Sequence, residues 1–257
     1  MIGFFLKKAF YKSWDNIPVL AALNAGFVLL IILLLGVPVI SSNNTILAIP
    51  LLVGIVYLFY FYAGGVSMFL GDLTLDKRPL LKHFPGYIAF SWKIAALLGT
   101  ITNIQLIILT VGLPFYSYLG GIFGIAAMSV LFWGSILWGL ISLWILPVHH
   151  QENSNIITVL KKSAFFLFDN IGFSIFISVY SILLFLISIA TAFIIPGISA
   201  ILYNHQLALK LRMYKYQYIE NNELTNRNKI PWDSVLITEK EKLGPRSLKG
   251  LFFPWKG

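Results

Sequence analysis

The sequence contains no cysteine and very few charges, and both absences narrow the field. With Cys at zero, disulfides and thiolate metal sites are excluded. Charged residues make up 11% of 257, against about 25% in ordinary soluble domains. Three stretches carry no Lys, Arg, Asp, Glu or His at all: 17–69, 94–148 and 171–204. About 20 apolar residues cross a hydrocarbon core of about 30 Å. These runs are therefore too long for single spans and read as hairpins of two. Catalytic signatures are also missing: there is no Walker motif, G-x-S-x-G, H-E-x-x-H or dinucleotide fingerprint. No cleavable signal-peptide pattern stands at the start.

What is present is apolar: 58% of the chain. Spans fall near 17–40, 46–70, 88–111, 120–147, 171–193 and 196–214. The expected fold is an all-α integral membrane protein of about six transmembrane helices in three hairpins. The 19 basic residues sit at Lys7, Lys8 and Lys12, at Lys77, Arg78, Lys82 and Lys93, at Lys161 and Lys162, and from Lys210 onward. All ten acidic residues share those segments. The opposite connections, "SSNNT" and the turn around Gly112 to Gly121, are uncharged. Six spans put every charge on one side, which the positive-inside rule makes the cytoplasm. The expectation is a multi-pass protein of the bacterial cytoplasmic (inner) membrane with both termini cytoplasmic. Five spans would export the basic tail. The net charge of +9 follows from this topology and from anionic lipid, so no nucleic-acid partner is expected. Pro196-Gly197 is the only break in the last pair, and the apolar stretch after it is short. Two full spans and a re-entrant hairpin both remain open there.

The phrase "LKKAFYKSWDNI" at 6–17 returns as "LKKSAFFLFDNI" at 160–171, with six of twelve positions identical. Leu6, Phe10 and Trp14, like Leu160, Ala164 and Phe168, fall on one helical face. Each phrase reads as an amphipathic helix lying in the interface, lysines toward the headgroups, ended by Asp-Asn. "LLKHFPGYIAFSWKI" is a degenerate third copy. The membrane domain, 1–215, then divides into three units of interfacial helix plus hairpin, about 1–70, 74–147 and 155–215. Internal duplication and convergent basic-aromatic anchoring both account for the likeness.

Few residues invite chemistry. His149-His150 with Glu152 is a poor metal site, since adjacent His side chains seldom chelate one ion; no metal and no cofactor is expected. Asn24, Asn103, Gln105, Asn204, His205 and Gln206 lie at membrane depth. Such groups either join helices or line a solute path. Ala63 with Ser67 and Gly120 with Gly124 have small-residue spacing for close helix contact.

From Glu220 the composition turns polar, and 220–257 reads as a cytoplasmic tail. Asp233 or Ser234 caps a short helix ended by Gly244-Pro245. Leu248, Leu251, Phe252, Phe253 and Trp255 then stand among Arg246, Lys249 and Lys256. This aromatic-basic end reads as a docking element for a protein partner, the bilayer or the protein's own face.

With its six spans, amphipathic lead-ins, "PVHHQENSNIITVLKKSAFFLFDN", "YAGGVSMFLGD" and "IIPGISAILYNHQLALKL", residues 1–215 resemble the YesL-like family of bacterial membrane proteins. The resemblance implies a cytoplasmic-membrane protein often associated with carbohydrate uptake, and carries over no catalytic residue. The tail after Glu220 departs from the usual family plan. The expected function is a non-enzymatic accessory or scaffold protein assisting a transport or cell-envelope complex. The alternative is a small transporter or lipid-handling protein with a polar cleft lined by Asn103, Gln105, Asn204 and His205. A membrane enzyme would draw on His83, His149, His150 and Asp169.

Overall fold

The computed structural model describes residues 1–42, 45–152, 154–221 and 230–246. These form eleven α-helices and no strand. The first is α1 (Ile2–Asp15), followed directly by α2 (Ile17–Ile40), with Pro18 in its opening turn. A 3-10 turn leads to α3 (Ala48–Thr74). Then come α4 (Phe84–Ile107) and α5 (Leu113–Leu119), joined by a π-helical turn at Ile108–Gly112. Pro114 gives that irregularity its cause, since it offers no N–H to the preceding turn. Next are α6 (Gly121–Glu152), α7 (Ile156–Asp169), α8 (Ile171–Ala190) and α9 (Gly197–Asn221). Two short helices follow, α10 (Trp232–Val235) and α11 (Ile237–Leu243).

Five segments are long and apolar enough to cross a bilayer: α2, α3, the run through α4 and α5, α6, and α8. Their outer faces carry exposed Leu35, Val39, Phe123, Trp133 and Leu186. A contiguous apolar exterior of this kind would aggregate in water and suits hydrocarbon.

The sixth expected span, 196–214, is not among these five and forms part of a longer helix. α9 continues unbroken to Asn221, and its residues from Tyr203 to Leu209 are all buried. Seven consecutive buried positions go round a helix almost twice, so α9 is enclosed by its neighbours. Its residues belong to both hydrophobic clusters. Leu207 packs in the cluster with Trp144, Phe173 and Ile177, and Tyr203 in the cluster with Leu23, Phe27 and Val66. The polar triplet Asn204-His205-Gln206 explains the arrangement: it keeps α9 from being a lipid-facing span and gives it partners instead. Gln206 Nε2 donates to Ser67 Oγ and carbonyl oxygen, each at 2.9 Å. His205 Nε2 lies 2.8 Å from Ser181 Oγ.

The start of α9 is fixed by α2. Asn24 is wholly buried. Its Nδ2 donates to the carbonyls of Ile194 and Pro196, and its Oδ1 accepts from Ser199 N, all at 2.9 Å. Ser199 Oγ donates to Leu20 O at 2.8 Å, and Ser188 Oγ accepts from Gly197 N at 2.9 Å. The turn holds Ala192 and Phe193 at φ of 51° and 60°, left-handed values that cost non-glycine residues of order 1 kcal/mol each. The Asn24 bonds offset that cost. Gly197 has φ +68°, and a Cβ there would stand 2.1 Å from Asn24 Nδ2. Because Gln206 pairs with Ser67, α9 rises only about 14 Å above that level, whereas α3 rises about 28 Å.

Two further expectations change. The middle basic-aromatic stretch forms no separate helix like α1 and α7. It runs straight into α4, since it has no Asp-Asn break and Pro85 stands in the first turn of α4. Of the Gly120/Gly124 pair only Gly124 serves close helix contact, since a Cβ there would lie 2.5 Å from Tyr116 O of α5. Gly120, at φ +63°, ends α5, and Gly124 N donates back to Gly120 O at 3.1 Å.

Asn24→Leu is expected to leave two carbonyls and one amide unpaired in the interior and to lower stability by about 2–3 kcal/mol. Asn103→Leu is expected to change it little, because Asn103 Nδ2 only donates within its own helix, to Gly99 O at 3.0 Å. Thermal unfolding in mild detergent checks both.

Candidate functional site

All charged side chains of the described residues gather at one end of the bundle, where α1 and α7 lie. Both amphipathic helices have 14 residues, and each ends at Asp followed by Asn. Leu6, Phe10 and Trp14 face outward, as do Phe165 and Phe168. The inner face of α1 is Phe5, Lys8 and Ala9. Phe5 meets Phe173, Phe176 and Tyr180 edge-on at 5.9, 6.1 and 5.9 Å, a geometry favoured by the ring quadrupole. Lys8 therefore does not point toward headgroups as its sequence position implied; it is 3% exposed.

Lys8 points at the tail. Its Nζ pairs with Glu239 Oε2. Glu239, 1% exposed, also faces Lys210 Nζ at 3.4 Å and accepts from Tyr214 Oη at 2.7 Å. Lys210 Nζ donates to Thr74 O at 2.6 Å. Burial first, then the ammonium groups of Lys210 and Lys12, push the Lys8 pKa down to about 7, while the Asp76 carboxylate works in the other direction. At the rim Asp76 takes Lys242 at 3.0 Å and Lys12 at 3.4 Å. Burial works against the Asp76 carboxylate. The Lys242 hydrogen bond and the positive fields of Lys210 and Lys12 outweigh it and hold its pKa below the usual range. Arg246 Nη1 reaches both oxygens of Asp15, at 2.8 and 2.7 Å. Leu236 and Leu243 are buried beneath. The first part of the tail is thus strapped across α1, α3 and α9.

A second feature is an open cleft of about 750 Å³ between α3, α4 and α6. Asp72 stands at its wall. Lys77 Nζ lies 2.8 Å and His150 Nε2 3.2 Å from Oδ1, and Tyr87 Oη donates to Oδ2 at 2.8 Å. Gly71 makes room for the imidazole: any Cβ there would lie 2.6 Å from the His150 ring. With three donors on one carboxylate, the chemistry is that of a lock between helices rather than a free base. Among the described residues no group of three His, Asp or Glu side chains is placed to hold a metal ion.

The four polar residues expected to line a cleft are spread over two helices. Gln105 Nε2 donates to Ser135 O of α6 at 3.4 Å. Asn103 stays within α4, His205 bonds to Ser181 of α8, and Asn204 is buried with Oδ1 unpartnered. No hydrogen bond connects the α4 pair to the α9 pair among the described residues. His83 and His150 share the Asp72 cleft. His149 stacks on Phe90 at 5.1 Å, and Asp169 is held by Lys215 at 2.7 Å and Tyr216 at 2.7 Å. The docking residues Leu248, Leu251, Phe252, Phe253 and Trp255 lie outside the described residues. Sequence reasoning missed Glu239 and Asp72. A signal for Glu239 exists: it falls between Leu236 and Leu243 on the inward stripe of α11.

Glu239→Gln leaves Lys8 and Lys210 facing a neutral amide. Breaking a buried pair costs about 3–5 kcal/mol, so the strap is expected to detach and trypsin to cut at Lys240 and Lys242 faster than in the wild type. The Asp76 contribution has a defined sign. Its folded pKa is depressed, so its support is complete above the ordinary carboxylate value of about 4 and disappears as pH falls through the lower folded value. A spin-label distance between α3 and α11 is expected to hold from pH 7 to 5 and to lengthen only in stronger acid.

The chain matches no protein-family model, no curated protein and no solved structure, so the YesL-like resemblance rests on the residues quoted for it.

Proposed function

We propose that this chain is a non-enzymatic accessory or scaffold protein of the bacterial cytoplasmic membrane, with its charged end in the cytoplasm, assisting a transport or cell-envelope complex. Residues 1–215 are the membrane domain and 220–257 the tail. The observation that carries the reading is the strap. Glu239 is fixed by Lys8, Lys210 and Tyr214, and Arg246 by Asp15. Arg246, just ahead of the aromatic-basic sequence at 248–255, is therefore anchored on α1. Segments presented this way bind with less ordering cost than free ones. Two facts add support. Ser199, His205 and Gln206 of α9 engage neighbouring helices, as in a packed bundle, and the YesL-like resemblance implies a membrane protein associated with uptake. The one-sided charge distribution supports the orientation.

Full-length protein and a version ending at residue 245 are purified from native membranes in mild detergent, and co-purifying proteins are quantified. The reading predicts a specific partner that the full chain retains and the shortened chain loses by about tenfold or more. Equal recovery of every partner by both would contradict it.

A further inference from the structure

The strap covers a cation that makes no direct ion pair or hydrogen bond among the described residues. Arg212, on α9, has its guanidinium 4.4 Å from the Phe173 ring and 5.1 Å from the Trp232 ring. Its Nε is buried and has no hydrogen-bond partner. No carboxylate lies within ion-pair distance of it among the described residues. Aromatic faces hold a guanidinium in place, but they do not use its N–H groups, which favour planar, bidentate acceptors.

This guanidinium borders a cavity of about 330 Å³. Lys215 and Asp169 stand in its wall as a pair at 2.7 Å, and the field of the carboxylate also reaches Arg212. The first turn of α8 opens onto the same space through Gly172, with no side-chain cap. Uncapped first-turn amides favour an anion. Asn170 is also in the wall. It is 5% exposed, its Nδ2 donates to Tyr216 Oη at 2.6 Å and to Phe166 O at 3.1 Å, and its Oδ1 has no partner. The cavity thus offers unused donors for an anion beside one unused acceptor for a hydroxyl. Phe168 and Ile171, both exposed and apolar, form its outer lip.

We infer that this cavity binds a phosphate group that carries or adjoins a hydroxyl, with Arg212 and the first turn of α8 holding the phosphate oxygens and Asn170 Oδ1 accepting from the hydroxyl. Two sources share that chemistry: an anionic phospholipid headgroup such as phosphatidylglycerol, and free inorganic phosphate. The apolar lip gives acyl chains a surface to lie along.

The test uses the full chain in mild detergent. Retained phosphatidylglycerol and phosphatidylcholine are counted by native mass spectrometry, and inorganic phosphate is titrated separately by phosphorus NMR. Phosphatidylcholine has the phosphate but neither the net charge nor the hydroxyl. Preferential retention of phosphatidylglycerol, falling about tenfold in Arg212→Gln and unchanged in Lys240→Gln, an exposed lysine of α11, supports the site. Binding of phosphatidylglycerol alone assigns it to lipid; line broadening of inorganic phosphate that Arg212→Gln abolishes extends it to the free ion. Equal retention of both lipids with no phosphate binding overturns the inference, as does full retention by Arg212→Gln. Should Arg212→Gln elute as aggregate, Arg212→Lys, expected to bind more weakly through loss of the planar fork, serves with the wild-type lipid comparison.

Discussion

The fold depends on a helix that belongs to neither lipid nor water. α9 carries Asn204, His205 and Gln206 through the centre of an apolar bundle, and the surrounding helices supply partners for the last two. Between helices in a bilayer the hydrophobic effect gives little association, since lipid tails are as apolar as leucine. Packing and polar contacts provide the direction. Gln206 selects α3 through Ser67, His205 selects α8 through Ser181, and Ser199 selects α2 through Leu20 and Asn24. Each bond is individually modest, about 0.6–2 kcal/mol. Together they fix which face of α9 meets which helix, because an unpaired amide in that interior costs more than a paired one returns.

The same helix organises the charged end. Beyond Leu209 it carries Lys210, Arg212, Tyr214 and Lys215 out of the apolar layer, and between them they meet α7, α8, α10 and α11. Lys210 and Tyr214 hold Glu239 of the tail, Lys215 holds Asp169 at the end of α7, and Arg212 lies between Phe173 of α8 and Trp232 of α10. The position of the strap therefore follows from the register of α9 against Ser67, through one continuous helix. The cavity beside Arg212 at this end inherits its geometry from bonds made deep in the bundle.

Much of this was legible in the sequence. Uncharged runs located the spanning helices. Leu6, Phe10 and Trp14, spaced four apart, located α1 and its outward stripe, and Asp-Asn marked where α1 and α7 stop. Gly244-Pro245 located the end of α11. What stayed hidden depended on tertiary pairing. Lys8 sits beside Lys7 in a basic lead-in, and nothing local distinguishes the exposed lysine from the one that meets Glu239 across 231 residues of chain. Asn24 resembles any polar residue in a span until the turn at Ile194 and Pro196 is placed beside it. The enclosure of α9 was hidden for the same reason: its composition shows a poor span, and only its neighbours show why a poor span is tolerated.

The absence of native cysteine makes the central claim directly measurable. Ser67→Cys and Gln206→Cys are introduced together and the protein is oxidised in its native membrane. If α9 is the enclosed axis in register with α3, the pair cross-links in high yield, whereas Leu35→Cys with Gln206→Cys does not. A failure of the first pair to cross-link, with Gln206→Cys instead open to a lipid-soluble maleimide, would contradict the account.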